Sequence, residues 1–217
     1  FFYALGNAST CRNKEDLKVQ MNMACADFKK KDSVSLVGTD ANYLYMKKVA
    51  AKPNKDARIM IPESFVQLTK TFQDATIWAS EKWIKVESGN KSIYSRLGEN
   101  KYVAYEMILP KDAVYNFKAD KNDFKKALQI VGVTSNTKTN MCELTFKDGE
   151  VLINSKDIDF EKEGETKFSA EHSVDFQSIG INGSFMLHLL NIIDTEEVEM
   201  AFAAPNRTIY IKATGDD

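Results

Sequence analysis

Two histidines, three cysteines and one run of alternating acids are the residues of this chain with the chemistry for catalysis or metal binding. His188 lies in an apolar helical stretch and reads as a packed or groove-facing side chain. His172 sits in a polar stretch and is expected in solvent. Cys11, Cys25 and Cys142 form no C-x-x-C pair, and an odd number leaves one unpaired in any disulfide scheme. Free thiols of a reducing compartment are the expectation. The run Asp157-x-Asp159-x-Glu161-x-Glu163-x-Glu165 starts like a calcium loop. Its sixth position, however, is Lys162, where the turn needs glycine, and its twelfth is Phe168, where a bidentate carboxylate belongs. A period of two predicts instead a strand with one solvated acidic face. The sequence has no phosphate loop, no G-x-G-x-x-G turn, no G-x-S-x-G elbow and no H-E-x-x-H helix. No metal, cofactor or nucleophile is called for, so the expectation is a protein without a catalytic site.

The remaining chemistry is electrostatic. The chain has 29 Lys and Arg against 31 Asp and Glu, a net charge of −2. Local basic clusters stand out at Arg12/Lys14/Lys18, Lys29-Lys30-Lys31, Lys47-Lys48 and Lys125-Lys126. The Lys29 cluster reads as solvated turn charge. Lys121, Lys125 and Gln129 differ, because the spacing i, i+4, i+8 puts them on one helix face while Asp123 points elsewhere. An acidic chain with basic stripes can hold a phosphate backbone locally and stay weakly bound elsewhere. Without base-reading motifs such contact would be independent of sequence.

The elements that position these residues alternate between one helix and several strands. Asp120 or Asn122 can cap a helix with the apolar stripe Phe124, Ala127, Leu128 and Val131. Strands over 141–146 and 150–155 follow, joined at Lys147-Asp148-Gly149, where Asp-Gly signals a tight hairpin. A second helix begins near Asn182-Gly183-Ser184 with Phe185, Leu189 and Ile192 expected inward, and ends near Asp194. Strands over 197–203 and 208–213 flank a turn at Pro205-Asn206. The first half runs alike. Pro62 is placed in the first turn of a helix with the stripe Phe65, Leu68 and Phe72, and strands follow over 76–79 and 83–87.

That likeness between halves extends to residues. Phe1-x-x-Ala4-Leu5 is echoed by Phe124-x-x-Ala127-Leu128, Asn22-Met23 by Asn140-Met141, Phe28-Lys29 by Phe146-Lys147, and Asp40 by Asp157. Ile61-x-x-Ser64-Phe65 and Asp74 answer Ile181-x-x-Ser184-Phe185 and Asp194. The offsets stay between 117 and 123, far above solenoid periods, so the repeating unit is a domain. Its 217 residues, 43% apolar and 28% charged, suit two modest globular domains. No apolar run approaches a membrane span and no signal peptide is read at Phe1 to Leu5. Four Asn-x-Ser/Thr sites carry meaning only in a secreted protein.

Several stretches together resemble the second and third domains of the bacterial replicative sliding clamp family, the β subunit of DNA polymerase III. They are Ser35-Leu36-Val37-Gly38-Thr39-Asp40-Ala41-Asn42-Tyr43-Leu44, Ile59-Met60-Ile61-Pro62, Ser95-Arg96-Leu97 and Lys101-Tyr102-Val103-Ala104-Tyr105-Glu106-Met107-Ile108-Leu109-Pro110. Phe124-x-x-Ala127-Leu128 with Ser135-Asn136, and Ile179-Gly180-Ile181-Asn182-Gly183-Ser184-Phe185-Met186, complete the series. The resemblance implies an α+β fold of tandem DNA-clamp (processivity-fold) domains over 1–113 and 114–217, each a duplicated helix-plus-antiparallel-strands unit. It implies a cytoplasmic, nucleoid-associated protein that encircles double-stranded DNA irrespective of sequence. Lys70, Lys121, Lys125 and Gln129 would then face the DNA.

The resemblance also implies a cleft that receives short linear motifs of DNA polymerase and clamp loader. It would use Met21, Thr39, Asn42, Tyr43, Leu44, Val103, Met107, Ile108, Asn206 and Thr208. The family usually has Gly and Arg at Ala41 and Tyr43, Pro at Val103, and a closing Met-Pro-Met-like strand beyond Asp217. Two homo-oligomeric rings are expected on this basis: a dimer if the parent has three domains, a trimer if it has two. The rival expectation is a non-enzymatic surface adhesion or scaffolding module without DNA binding.

Overall fold

The computed structural model describes residues 1–15, 18–29, 32–109, 113–175 and 177–213. Lys30 and Lys31 of the basic cluster, and Pro110 of the resembling stretch, lie outside them. The chain divides into two compact units, Phe1–Ala104 and Tyr105–Asp217, each with its own hydrophobic core.

The first unit starts with helix α1 (Phe2–Thr10), followed by β1 (Ala24–Lys29), β2 (Ser33–Thr39), β3 (Leu44–Ala50) and β4 (Ala57–Ile61). Helix α2 (Glu63–Thr69) precedes β5 (Thr76–Ala79), β6 (Trp83–Ser88) and β7 (Lys91–Arg96). The strands form two antiparallel sheets in the orders β3-β2-β1-β4 and β5-β6-β7. Leu5 and Ala8 of α1 and Phe65 and Val66 of α2 bury against Val34, Leu36, Ile84 and Val86. Helix α1 lies so close to β2 that a Cβ on Gly38 would sit 1.8 Å from the Ala8 carbonyl oxygen.

In the second unit a 3-10 turn (Tyr105–Met107) precedes β8 (Tyr115–Asp120), α3 (Lys121–Gly132), β9 (Met141–Lys147) and β10 (Glu150–Asp157). Then come β11 (Lys162–His172), β12 (Ser178–Asn182), α4 (Gly183–Ile192), β13 (Glu197–Phe202) and β14 (Tyr210–Ala213). They make one seven-stranded sheet, ordered β12-β9-β10-β11-β8-β13-β14. Asp120 caps α3 by accepting the Asp123 N–H at 2.9 Å, and the stripe Phe124, Ala127, Leu128 and Val131 is buried as the spacing predicts. The Asp148-Gly149 turn joins β9 to β10 with Lys147 opposite Glu150, and Gly149 takes φ +72°.

The two units repeat one plan. The order β4-β1-β2-β3 matches β12-β9-β10-β11, each with a helix before its first strand and after its last-added edge strand. Ala24 pairs with Ile61 where Cys142 pairs with Ile181. A polar lock is duplicated as well. Asn13 accepts the Glu15 N–H through its Oδ1 and donates to the Asp40 carbonyl at 3.3 Å. Asn136 accepts the Lys138 N–H and donates to Asp157 Oδ1 at 3.2 Å. These Asx turns tie the segment after each first helix to the end of the second strand of the following hairpin. Asn13 and Asn136 stand as far apart in sequence as Phe1 and Phe124 do.

Two helix faces differ from expectation. In α4 the buried residues are Gly183, Met186 and Leu190, while Phe185, Leu189 and Ile192 are half-buried. That helix is apolar on nearly every side, so periodicity offers two stripes; Asn182 caps it by accepting the Phe185 N–H, and packing of Met186 and Leu190 into the core selects the other stripe. In α2, Leu68 is 62% exposed and Phe65, Val66 and Thr69 face inward. Pro62 is the N-cap, one place before the helix, and seven helical residues end before Phe72 is reached. Phe72 packs from the following segment, edge-on to Phe2 at 5.9 Å.

Candidate nucleic-acid and peptide interfaces

The helical lysines prove unequal. Lys121 is half-buried and donates to the Ile193 carbonyl at 2.8 Å, closing the C-terminus of α4 with a cation where the helix dipole is negative. That bond joins α3 to α4. Lys125, one turn on, carries no ion pair or hydrogen bond among the described residues, and Gln129 beyond it is exposed. Lys126 is held by Asp123 at 3.2 Å on the next flank. In the first unit Lys70 is exposed at the end of α2 and donates to Gln67 Oε1 at 3.4 Å. A half-buried cation and an exposed amide spaced one turn apart on a helix suit phosphate contact without base reading.

The first unit gathers five of the cleft residues around the β2–β3 connection. The Asn13 N–H donates to both the Met21 and the Thr39 carbonyls, at 2.9 and 3.1 Å, and so brings Met21 beside the end of β2. Thr39 is buried; its hydroxyl donates to the Tyr43 carbonyl at 2.7 Å and accepts the Ala41 N–H. Asp40 Oδ1 accepts the Asn42 and Tyr43 N–H groups at 2.8 and 3.2 Å. Asn42 is thereby exposed, and Tyr43 and Leu44 are half-buried. Burial pushes the Tyr43 hydroxyl up to about 12, with the neighbouring Cys11 and Asp40 adding to it. Burial does the same to the Cys11 thiol, also to about 12, against a contrary pull from the Thr10 hydroxyl. Both stay neutral at physiological pH, so Asp40 is the one charge of this connection. Val103, also in this unit, is half-buried beside Tyr102, whose hydroxyl donates to the Val37 carbonyl.

Ala41 takes φ +82°, the left-handed region that a Cβ disfavours by about 1–2 kcal/mol. This gives a physical reason for glycine there. Ala41→Gly is expected to stabilise the first unit by about 1 kcal/mol, raising its melting temperature by about 4–8 °C. An unchanged or lower transition in a tryptophan-monitored melt would contradict it.

The second unit carries the remaining cleft residues. Met107, 81% exposed, ends the 3-10 turn, and Ile108 follows, its N–H donating to the Tyr105 carbonyl. Asn206 and Thr208 are exposed in the β13–β14 connection. The Val114 N–H donates to the Phe202 carbonyl, which seats the approach to β8 beside the start of that connection.

His172 ends β11 half-buried rather than solvated: its ring packs on Phe146, and Nε2 lies 2.6 Å from the Lys147 carbonyl. Since a carbonyl only accepts, Nε2 carries the proton. His188 is half-buried in α4. The acidic run is not one strand. Asp157 ends β10 buried, residues 158–161 turn the chain with Glu161 at φ +51°, and only Glu163 and Glu165 alternate outward on β11. Asp157 spends its carboxylate on Asn136 and on the Asp159 N–H, bonds that a sequence period does not reveal. Among the described residues no cluster of three His, Cys, Asp or Glu is placed to hold a metal ion. The three cysteines are buried, and none is joined in a disulfide.

Comparison with known proteins gives this geometry a setting. A beta sliding clamp of Helicobacter pylori is 23% identical over 197 residues, 87% of this chain and 52% of its own length. One from Pseudomonas putida is 21% identical over 211 residues, 94% of this chain and 57% of its own. The chain thus spans about half the length of the curated relatives it matches. A crystal structure of the Pseudomonas aeruginosa DNA polymerase sliding clamp superposes with a TM-score of 0.93 at 21% identity, covering 100% of this chain and 61% of that one. The Helicobacter pylori beta clamp bound to a DNA ligase peptide superposes at 0.86 with 20% identity, covering 97% and 59%. The fold is the sliding-clamp fold. The family described as DNA polymerase III beta subunit, C-terminal domain, matches residues 106–217, over half of the sequence, and the chain belongs to that family.

Proposed function

We propose that this chain acts in a DNA sliding clamp: a ring that encircles duplex DNA irrespective of sequence and tethers the replicative polymerase, without a catalytic site of its own. The observation that carries this reading is the family match over 106–217 on a chain that has the clamp fold along its whole length. Domains over 1–113 and 114–217 would each supply one helix-lined arc of the ring, closed by further copies as a dimer or trimer. Lys70 and Gln129 would meet the phosphates from exposed positions and Lys125 from a half-buried one, with Lys121 setting the pose of α4 behind them. Short linear motifs of polymerase and clamp loader would dock on Met21, Thr39, Asn42, Tyr43, Leu44 and Val103 in the first unit and Met107, Ile108, Asn206 and Thr208 in the second. The peptide seated on the Helicobacter pylori clamp supports that mode of docking. Such work belongs in the cytoplasm, at the nucleoid; among the described residues no helix is long and apolar enough to cross a membrane.

Retention on immobilised duplexes of unrelated sequence tests the reading. Binding should be equal between sequences and fall with salt, and Lys125→Gln should reduce the slope of log affinity against log salt by about 0.9. Absence of retention on any duplex at low salt would favour the adhesion or scaffolding reading.

A further inference from the structure

The chain has two tryptophans, and both stand on the outward face of the β5-β6-β7 sheet. Ile77, Ile84, Val86 and Ile93 turn into the core, so the pleat sends Trp78, Trp83, Lys85, Tyr94 and Arg96 to the other side. Trp78, Lys85 and Tyr94 face one another across the three strands, and Trp83 faces Arg96. The rings are 47%, 52% and 62% exposed for Trp78, Trp83 and Tyr94. Lys85 Nζ lies 4.9 Å from the Trp78 ring centre and 5.3 Å from that of Tyr94, and the Arg96 guanidinium is 6.0 Å from Trp83. Each cation also pairs with a carboxylate, Lys85 with Glu87 and Arg96 with Glu99. Residues 76–96 carry Lys82, Lys85, Lys91 and Arg96 against Glu81 and Glu87, a positive segment in a chain of net charge −2.

Grouped exposed aromatics on a folded protein mark a binding surface. We propose that this face docks single-stranded nucleic acid, with bases stacked on Trp78, Tyr94 and Trp83 and phosphates taken by Lys85 and Arg96 in place of Glu87 and Glu99. Every base offers a π face, so aromatic rings interleaved with cations hold a strand with little sequence preference, and an open sheet presents them side by side. Bases within a duplex are already stacked on each other and cannot reach the rings. The face therefore discriminates strandedness where the helical lysines do not. It needs neither ring closure nor peptide docking, so its failure and theirs are separate.

Because both indoles sit on the platform, tryptophan fluorescence of the full chain reads it directly. Titration with an oligothymidylate of about 16 nucleotides should quench that emission saturably, and less so as salt rises. Tyr94→Ala keeps both reporters and should weaken binding about 5- to 150-fold. Lys85→Gln with Arg96→Gln leaves the rings in place and should lower the salt slope by about 1.4. Equal quenching by a blunt duplex, or none with the oligonucleotide, overturns the proposal. Emission that changes with protein concentration alone would assign the face to a second copy and overturn it too.

Discussion

Gly38→Ala is expected to destabilise the first unit by about 3 kcal/mol or more, the upper range of overpacking. The added methyl would sit 1.8 Å from the Ala8 carbonyl oxygen and 2.6 Å from its carbon. Those atoms are backbone inside a helix, so no rotamer change relieves the clash and α1 must lift as a body. Lifting it exposes Leu5 and Ala8, both fully buried, and loosens the Asn13 lock that follows α1. Trp78 and Trp83 belong to this unit, so a urea titration followed by tryptophan emission should show an earlier midpoint. A midpoint within about 0.5 kcal/mol of the parent would show that α1 does not rest on β2 as described.

Phe124→Ala is the matching experiment in the second unit. Phe124 is fully buried, stacked on Phe168 at 4.9 Å and edge-on to Phe117 at 5.7 Å. Truncating a buried phenylalanine costs about 3–5 kcal/mol, and two ring contacts place this one toward the top of that range. Since the two cores share no residue, the loss should appear in far-ultraviolet circular dichroism while the tryptophan transition keeps its midpoint. A dichroism curve that superimposes on the parent's would contradict the packing at α3.

What the sequence discloses follows how one-sided each element is. Helix α3 has four apolar residues on one face and, Ile130 apart, mostly polar side chains around the rest, so its stripe and cap are readable without coordinates. Helix α4 is apolar around most of its circumference, and the choice between stripes is made by tertiary contact. The acidic run misleads because alternation in sequence continues through a turn, where Asp157 accepts the Asp159 N–H and the Asn136 amide and Glu161 takes a positive φ. The helix spacing groups Lys121 with Lys125, yet it cannot show that α4 claims the Lys121 ammonium. The Asn13 and Asn136 locks are a polar echo with the same separation as Phe1 and Phe124, legible in sequence only as two asparagines at that offset. The platform on β5-β6-β7 depends on β7, whose signal is the Gly89-Asn90 pair that turns the chain back from β6 and so places Tyr94 opposite Lys85.

The burial of Cys11, Cys25 and Cys142 has a practical side. Maleimide dyes react with exposed thiolates, and this protein offers none in its native state. A single cysteine introduced on the surface of the second unit, at Gln129 for instance, would be the sole labelling position without removal of any natural thiol. Excitation transfer from the tryptophans of the first unit to that dye would then report the separation of the two halves, and its change when DNA or a partner peptide is added.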